Sequence, residues 1–99
     1  MSECVIRHAT IRGRVQGVGY RDWTRYVARD RHVEGWVRNR QDGSVEAVFA
    51  GSHEAVAGML AACHRGPPNS VIESIEEREA SAAELELRGD KSFAILKTE

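Results

Sequence analysis

Val33-Glu34-Gly35-Trp36-Val37-Arg38-Asn39-Arg40-Gln41-Asp42-Gly43-Ser44-Val45-Glu46-Ala47-Val48-Phe49-Ala50 is the stretch on which the fold turns. Val33, Gly35, Val37 and Asn39 alternate with Trp36, Arg38 and Arg40, so the first run reads as a strand with one face toward a core. Val45, Ala47 and Phe49 alternate with Glu46, Val48 and Ala50 in the second run. Asp42-Gly43 between two such runs is a hairpin signal, because a tight two-residue turn needs residues that tolerate positive φ.

On the N-terminal side, Ala9, Ile11, Gly13 and Val15 alternate with His8, Thr10, Arg12 and Arg14, which predicts a half-buried strand over 7–15. Tyr20, Trp23 and Val27 then recur at i, i+3 and i+7, the spacing of an amphipathic helix of about three turns. On the C-terminal side Ser52 is placed to cap a second helix whose apolar stripe is Val56, Met59, Leu60 and Cys63. Gly66-Pro67-Pro68 stops it. Val71 to Ile75 reads as a fourth strand, Glu76 to Asp90 as an exposed connection or strand extension, and Ser92 to Leu96 as a short last strand. The order is β-α-β-β-α-β with one extra strand. That order predicts an α+β, ferredoxin-like split β-α-β sandwich: one antiparallel sheet with both helices on one face. In this arrangement the turn after the first strand and the end of the second meet at one end of the sheet, which brings Asn39 toward Arg21.

The chain of 99 residues is expected to form a single domain over 1–99, long enough to bury one core without staples. Cys4 and Cys63 are too few and too far apart for a disulfide framework or a zinc site, which fits a reducing, cytoplasmic setting. The N-terminal stretch Met1 to His8 has no basic region followed by a long apolar run, and no membrane span is expected anywhere. Net charge is −1, but residues 1–41 carry nine Arg against four acids (+5) and residues 42–99 carry five Lys/Arg against eleven acids (−6). A basic half of this kind favours an anionic partner, although a merely solvated surface is the commoner origin of such asymmetry.

Between the first strand and the first helix lies Gly13-Arg14-Val15-Gln16-Gly17-Val18-Gly19-Tyr20-Arg21. A turn that enters a helix gathers unpaired backbone N–H groups, and glycines let the backbone bend so that several converge on one anion. Arg21 stands where the helix begins, and a cation there opposes the helix dipole by roughly 0.3–1 kcal/mol. A bound anion would resolve that conflict. From spacing alone, an ordinary turn with a surface Arg beside Asp22 remains the commoner reading.

Other chemistries fit less well. A phosphate-binding P-loop ends in Gly-Lys-Ser/Thr and a dinucleotide fingerprint has three glycines, whereas only Gly17 and Gly19 stand here. An RNA-recognition module has the same element order but displays aromatic residues on its central strands. This chain offers His8, Thr10, Arg12, Glu46 and Val48 instead, so no nucleic-acid partner is expected and an RNA- or phosphate-binding module is kept as the alternative. His8, His32, His53 and His64 fall at no ligand spacing, and no metal is expected. Trp23, Trp36 and Cys63 read as packing residues, and Asp22, Asp30 and Glu34 as neutralisers of nearby arginines.

The stretch Gly13 to Arg21, followed by Gly35-Trp36-Val37-Arg38-Asn39-Arg40-Gln41-Asp42-Gly43-Ser44-Val45-Glu46, closely resembles the two signatures of the acylphosphatase family. Gly66-Pro67-Pro68 matches a weaker third feature, and the resemblance runs from about Val5 to Leu96. It implies a small enzyme that hydrolyses the carboxyl–phosphate bond of acyl phosphates by in-line attack of water, without metal or other cofactor. The family's essential arginine falls on Arg21 and its essential asparagine on Asn39, with the phosphate cradled by Gln16, Gly17, Val18, Gly19, Tyr20 and Arg21. A monomer acting on a small-molecule acyl phosphate is the expected form. Asn69-Ser70 and the acidic segment 76–90 are less typical of the family.

Overall fold

The computed structural model describes residues 3–99; Met1 and Ser2, part of the stretch read above as lacking a leader, lie outside the described residues. In chain order the elements are β1 (Cys4–Arg14), α1 (Tyr20–Asp30), β2 (Glu34–Asn39), β3 (Val45–Ser52), α2 (His53–Cys63), β4 (Val71–Glu79), α3 (Ala82–Leu85), a 3₁₀ turn (Glu86–Arg88) and β5 (Phe93–Ile95). The five strands form one sheet in the order β4-β1-β3-β2-β5. Antiparallel pairing joins β1 to β3, β1 to β4 and β2 to β3.

Alternation sets the faces as expected. Ala9, Ile11, Val37, Val45, Ala47 and Phe49 point to one side and pack against Tyr20 and Ala28 of α1 and Val56, Met59, Leu60 and Cys63 of α2. Both long helices therefore cover the same face of the sheet. The apolar centre of α1 differs in detail from the stripe read in the sequence. Tyr20, Thr24 and Ala28 are buried, while Trp23 and Val27 sit half-buried at its flank. Small side chains at i+4 and i+8 let the helix approach the sheet closely, and the Thr24 hydroxyl is satisfied by Tyr20 O at 2.7 Å.

One expectation needs correction. The sheet is mixed, because β5 runs parallel to β2. The reason is topological: β4, antiparallel to β1, ends beside Arg7, so the chain must cross to β2 and start β5 from that same end. Of the two forms expected for the acidic segment, the strand extension is the one found at its start, and a short helix is added after it. β4 continues to Glu79, and a one-turn helix follows, with Ser81 accepting from Glu84 N and the Glu84 carboxylate accepting from Ser81 N. This turn covers part of the second face. Leu85 packs there with Trp36, Val48 and Ala94, and Trp36 Nε1 donates to Glu84 O at 2.7 Å.

Among the described residues no helix is long and apolar enough to cross a membrane.

Candidate active site

The end of the sheet where β1 finishes is also where β2 finishes and where β3 and β4 begin. Three connections meet there: the β1–α1 loop, the β2–β3 hairpin and the α2–β4 turn. The loop Gln16–Gly19 leads from β1 into α1, with Gly17 at φ 76° and Gly19 at φ 79°, both in the left-handed region that glycine enters without penalty. Gly19 is the N-cap of α1 and brings no capping side chain. Consequently the first N–H groups of the helix keep their donors free, which Ser, Thr or Asp at that position would have filled. Among the described residues no group accepts a hydrogen bond from the backbone N–H of Gln16, Gly17, Val18 or Gly19.

Arg21 lies in the first turn of α1 and is half-buried. It forms no ion pair with the described residues. Its neighbour Asp22, the partner of the plainer reading, reaches Arg25 at 3.4 Å instead. The Tyr20 side chain is no part of the loop's concave surface. It is buried to 2% exposure, its hydroxyl donates to Cys63 O at 2.8 Å, and burial pushes its phenol pKa upward. Only its backbone N–H can face an anion. Burial likewise pushes the Cys63 thiol up to about 12, so that residue is a core filler.

Asn39 ends β2 opposite Val45 and shares its face with Val37, the face that α1 covers. Its backbone is held on both sides: it pairs with β3, and Asn39 O accepts from Glu99 N at 3.1 Å. Its carboxamide makes no hydrogen bond with the described residues. Arg38 and Arg40, one step to either side, turn to the opposite face, where Glu46 accepts from them at 2.7 and 3.2 Å. The second oxygen of Glu46 meets His8 Nε2 at 2.7 Å. Burial acts to raise the Glu46 pKa, but the hydrogen bonds from His8 and Arg38 outweigh it and hold it below the ordinary value. His8, one of four scattered histidines in the sequence, is thus a buried partner of this network.

The hairpin beyond Asn39 is closed by Arg40 N donating to Ser44 O at 2.8 Å and Gly43 N donating to Arg40 O at 3.1 Å. Asp42 accepts from both the hydroxyl and the amide of Ser44, at 2.6 and 3.0 Å, and these bonds pull its pKa down to about 2. Onto this closed turn the loop is fastened by one side chain. Gln16 Nε2 donates to Arg40 O at 2.8 Å and to Ser44 O at 2.9 Å. Sequence reasoning assigned Gln16 only a backbone amide in the cradle. The side-chain bridge was missed because its acceptors are backbone carbonyls, which leave no mark in a sequence.

The turn Gly66–Ser70 completes this end by packing against the Tyr20 ring; a Cβ on Gly66 would lie 2.9 Å from Tyr20 Cε2. A groove of about 900 Å³ opens elsewhere, between the start of β1, the end of β4 and α2, where Val5, Val56, Leu60, His53 and Glu79 line it. It does not include the loop.

The arrangement offers a run of uncommitted N–H donors, a guanidinium in the helix turn that follows them and a carboxamide at the end of β2, which β3 separates from β1. That is equipment for binding a tetrahedral anion and placing a small polar molecule next to it. The family model for acylphosphatase matches residues 7–95. An acylphosphatase of Bradyrhizobium diazoefficiens is 53% identical over 100 residues, covering 99% of each chain. The crystal structure of acylphosphatase from Bacillus subtilis superposes with a TM-score of 0.82 at 34% identity, over 93% of this chain and 98% of that one. An acylphosphatase structure from Coxiella burnetii gives 0.83 at 26% identity, over 94% and 93%. With loop, helix and hairpin arranged in this way and matches that span nearly the whole chain, the protein belongs to the acylphosphatase family and has that family's activity, hydrolysis of small acyl phosphates.

Proposed function

We propose that Arg21 and Asn39 carry this hydrolysis, with the phosphoryl group seated on the backbone N–H groups of Gln16, Gly17, Val18, Gly19, Tyr20 and Arg21. The observation that carries the reading is the set of loop donors without protein acceptors, beside a half-buried arginine without an ion-pair partner among the described residues. Anion binding satisfies both and removes the conflict between Arg21 and the helix dipole.

In the reaction, the guanidinium of Arg21 takes two phosphoryl oxygens in its fork and neutralises charge in the transition state. Asn39 Oδ1 accepts one hydrogen of a water and aims its oxygen at phosphorus, in line with the acyl oxygen. A P–O bond forms to water while the acyl O–P bond breaks, and the electron pair leaves on the carboxylate. Both water protons end on the phosphate, because a carboxamide is a poor base. The departing carboxylate is itself a weak base and needs no general acid. Positioning and charge stabilisation carry most of phosphoryl transfer, so a site without a catalytic histidine or a carboxylate pair suffices.

The same reading has the chain act as a single domain and a monomer in the cytoplasm, without metal and without nucleic acid. Support for the last point comes from the second face of the sheet. The surface on which an RNA-recognition module stacks bases is filled here by the His8–Glu46–Arg38 network, and Trp36 is buried beneath Arg38 and α3.

The test is phosphate release from benzoyl phosphate in the presence of a chelator, by the wild type and Arg21→Ala. Rapid release by the wild type alone is expected. Equal slow rates would overturn the assignment of Arg21.

A further inference from the structure

We infer that the Gln16 side chain is a positioning residue for the hydrolysis and acts through Asn39; the inference rests on the role proposed for Asn39 above. Four residues around the hairpin mouth supply the argument. Arg40 O already accepts from Gly43 N at 3.1 Å, and Ser44 O already accepts from Arg40 N at 2.8 Å. Each carbonyl has one lone pair left, and Gln16 Nε2 uses both, at 2.8 and 2.9 Å. The two hydrogens of one primary amide are thereby spent. The side chain has no N–H left for a phosphoryl oxygen, so whatever it contributes to the reaction is geometric.

The bridge also joins the two halves of the site. Gln16 opens the loop that seats the phosphate, and Arg40 directly follows Asn39, which aims the water. Among the described residues this is the sole side-chain hydrogen-bond link between that loop and the hairpin. Without it, the loop would be tied to the end of β2 only at second hand, through β3, whose Val45 pairs with Ile11 and with Asn39, and through the core cluster that holds Val15, Val18, Val37 and Val45, whose apolar packing is tolerant of small sliding motions. In-line attack is not tolerant. A misplacement of about 1 Å can cost on the order of 10²-fold in rate.

Gln16→Met keeps the length and the apolar stem while removing both donors. It is expected to lower kcat for benzoyl phosphate by roughly 10- to 100-fold with KM little changed, since the phosphate seat itself is built from backbone N–H groups. The discriminating measurement is the double-mutant cycle with Asn39→Ala. If Gln16 works through Asn39, Gln16→Met adds almost no further loss of kcat in the Asn39→Ala background. A full additional loss in that background would overturn the inference, as would a rise in KM with kcat unchanged. Should Asn39→Ala alone leave kcat intact, the role of Asn39 fails first, and that result is seen in the single variant before any cycle is drawn. Gln16→Glu, which also lacks the two donors, supplies the same cycle if Gln16→Met does not fold.

Discussion

In the first turn of α1, Arg21 sits where its own charge is least welcome. The helix N-terminus repels it by about 0.3–1 kcal/mol, and Asp22 is engaged with Arg25. Arg21→Ala is therefore expected to leave stability unchanged or slightly raised in urea denaturation, while turnover falls by roughly 10³–10⁵. A variant that loses activity together with several kcal/mol of stability would contradict this separation. Tyr20 predicts the opposite behaviour. Its hydroxyl satisfies a buried carbonyl, so Tyr20→Phe should cost about 1–3 kcal/mol of stability with kcat nearly intact, read by denaturant midpoint and phosphate release. At this scale the candidacy of Arg21 and Asn39 was readable from their place in two signatures. The Gln16 bridge was not, because a glutamine paired with carbonyls 24 and 28 residues away looks like any surface glutamine.

Among the elements, both long helices and the hairpin β2–β3 were readable because the period of the apolar residues records the side that faces the core, although the other face of the hairpin is buried too at Trp36, Val48 and Ala50. β4 was readable only in part. It is an edge strand paired on one side to β1, exposed at Glu73, Ser74, Glu76, Glu77, Arg78 and Glu79, and its register shifts opposite Arg12 and Gly13. Its core-side residues Ile72 and Ile75 are only half-buried and stand three apart across that shift, so no alternation runs through the strand. α3 escaped for a different reason. Four residues are too short for a helical period, although Ser81 and Glu84 stand at the spacing of a capping box. The cap on α2 was both predicted and formed, with Ala55 N donating to Ser52 Oγ at 3.1 Å. Ser52→Ala should cost about 1 kcal/mol of stability, and a midpoint shift near zero would mean that tertiary packing alone holds that helix end.

Over the whole molecule, the opposed charges of the two halves turn out to be complementary within the chain. Arg7 meets Glu77, Arg12 meets Glu76 and Asp42, Arg38 meets Glu46 and Glu99, and Arg40 meets Glu46. Four of the nine arginines in the basic half, which in the sequence favours an anionic partner, are thus answered by the acidic half. The exposed pairs among them are individually worth only about 0–1 kcal/mol, whereas Arg38–Glu46 is mostly buried. Their carboxylates nonetheless set a pH dependence. Asp42 has its pKa lowered from 3.8 to about 2 in the folded state, chiefly by Ser44, so the unfolded chain binds its proton first as the solution is acidified. Its contribution is complete above about pH 4 and is lost as pH falls toward about 2. Asp42→Asn should accordingly lose less stability than the wild type across that window in urea titrations, and parallel curves would remove Asp42 from the account.

The pairing of β1 with β4 has a kinetic consequence. Arg12 and Glu76, bonded across it, are 64 residues apart, and closing so long a loop comes before any contact that rewards it. The edge strand is therefore expected to dock late in refolding. Its first residue, Val71, sits against Arg14 at the mouth of the loop Gln16–Gly19, and the turn before it braces Tyr20. Catalytic competence should return with that docking and not before. In dilution from urea, recovery of phosphate release is expected to lag the helical far-ultraviolet signal of α1 and α2, and simultaneous recovery would mean that the seat forms without its outermost strand.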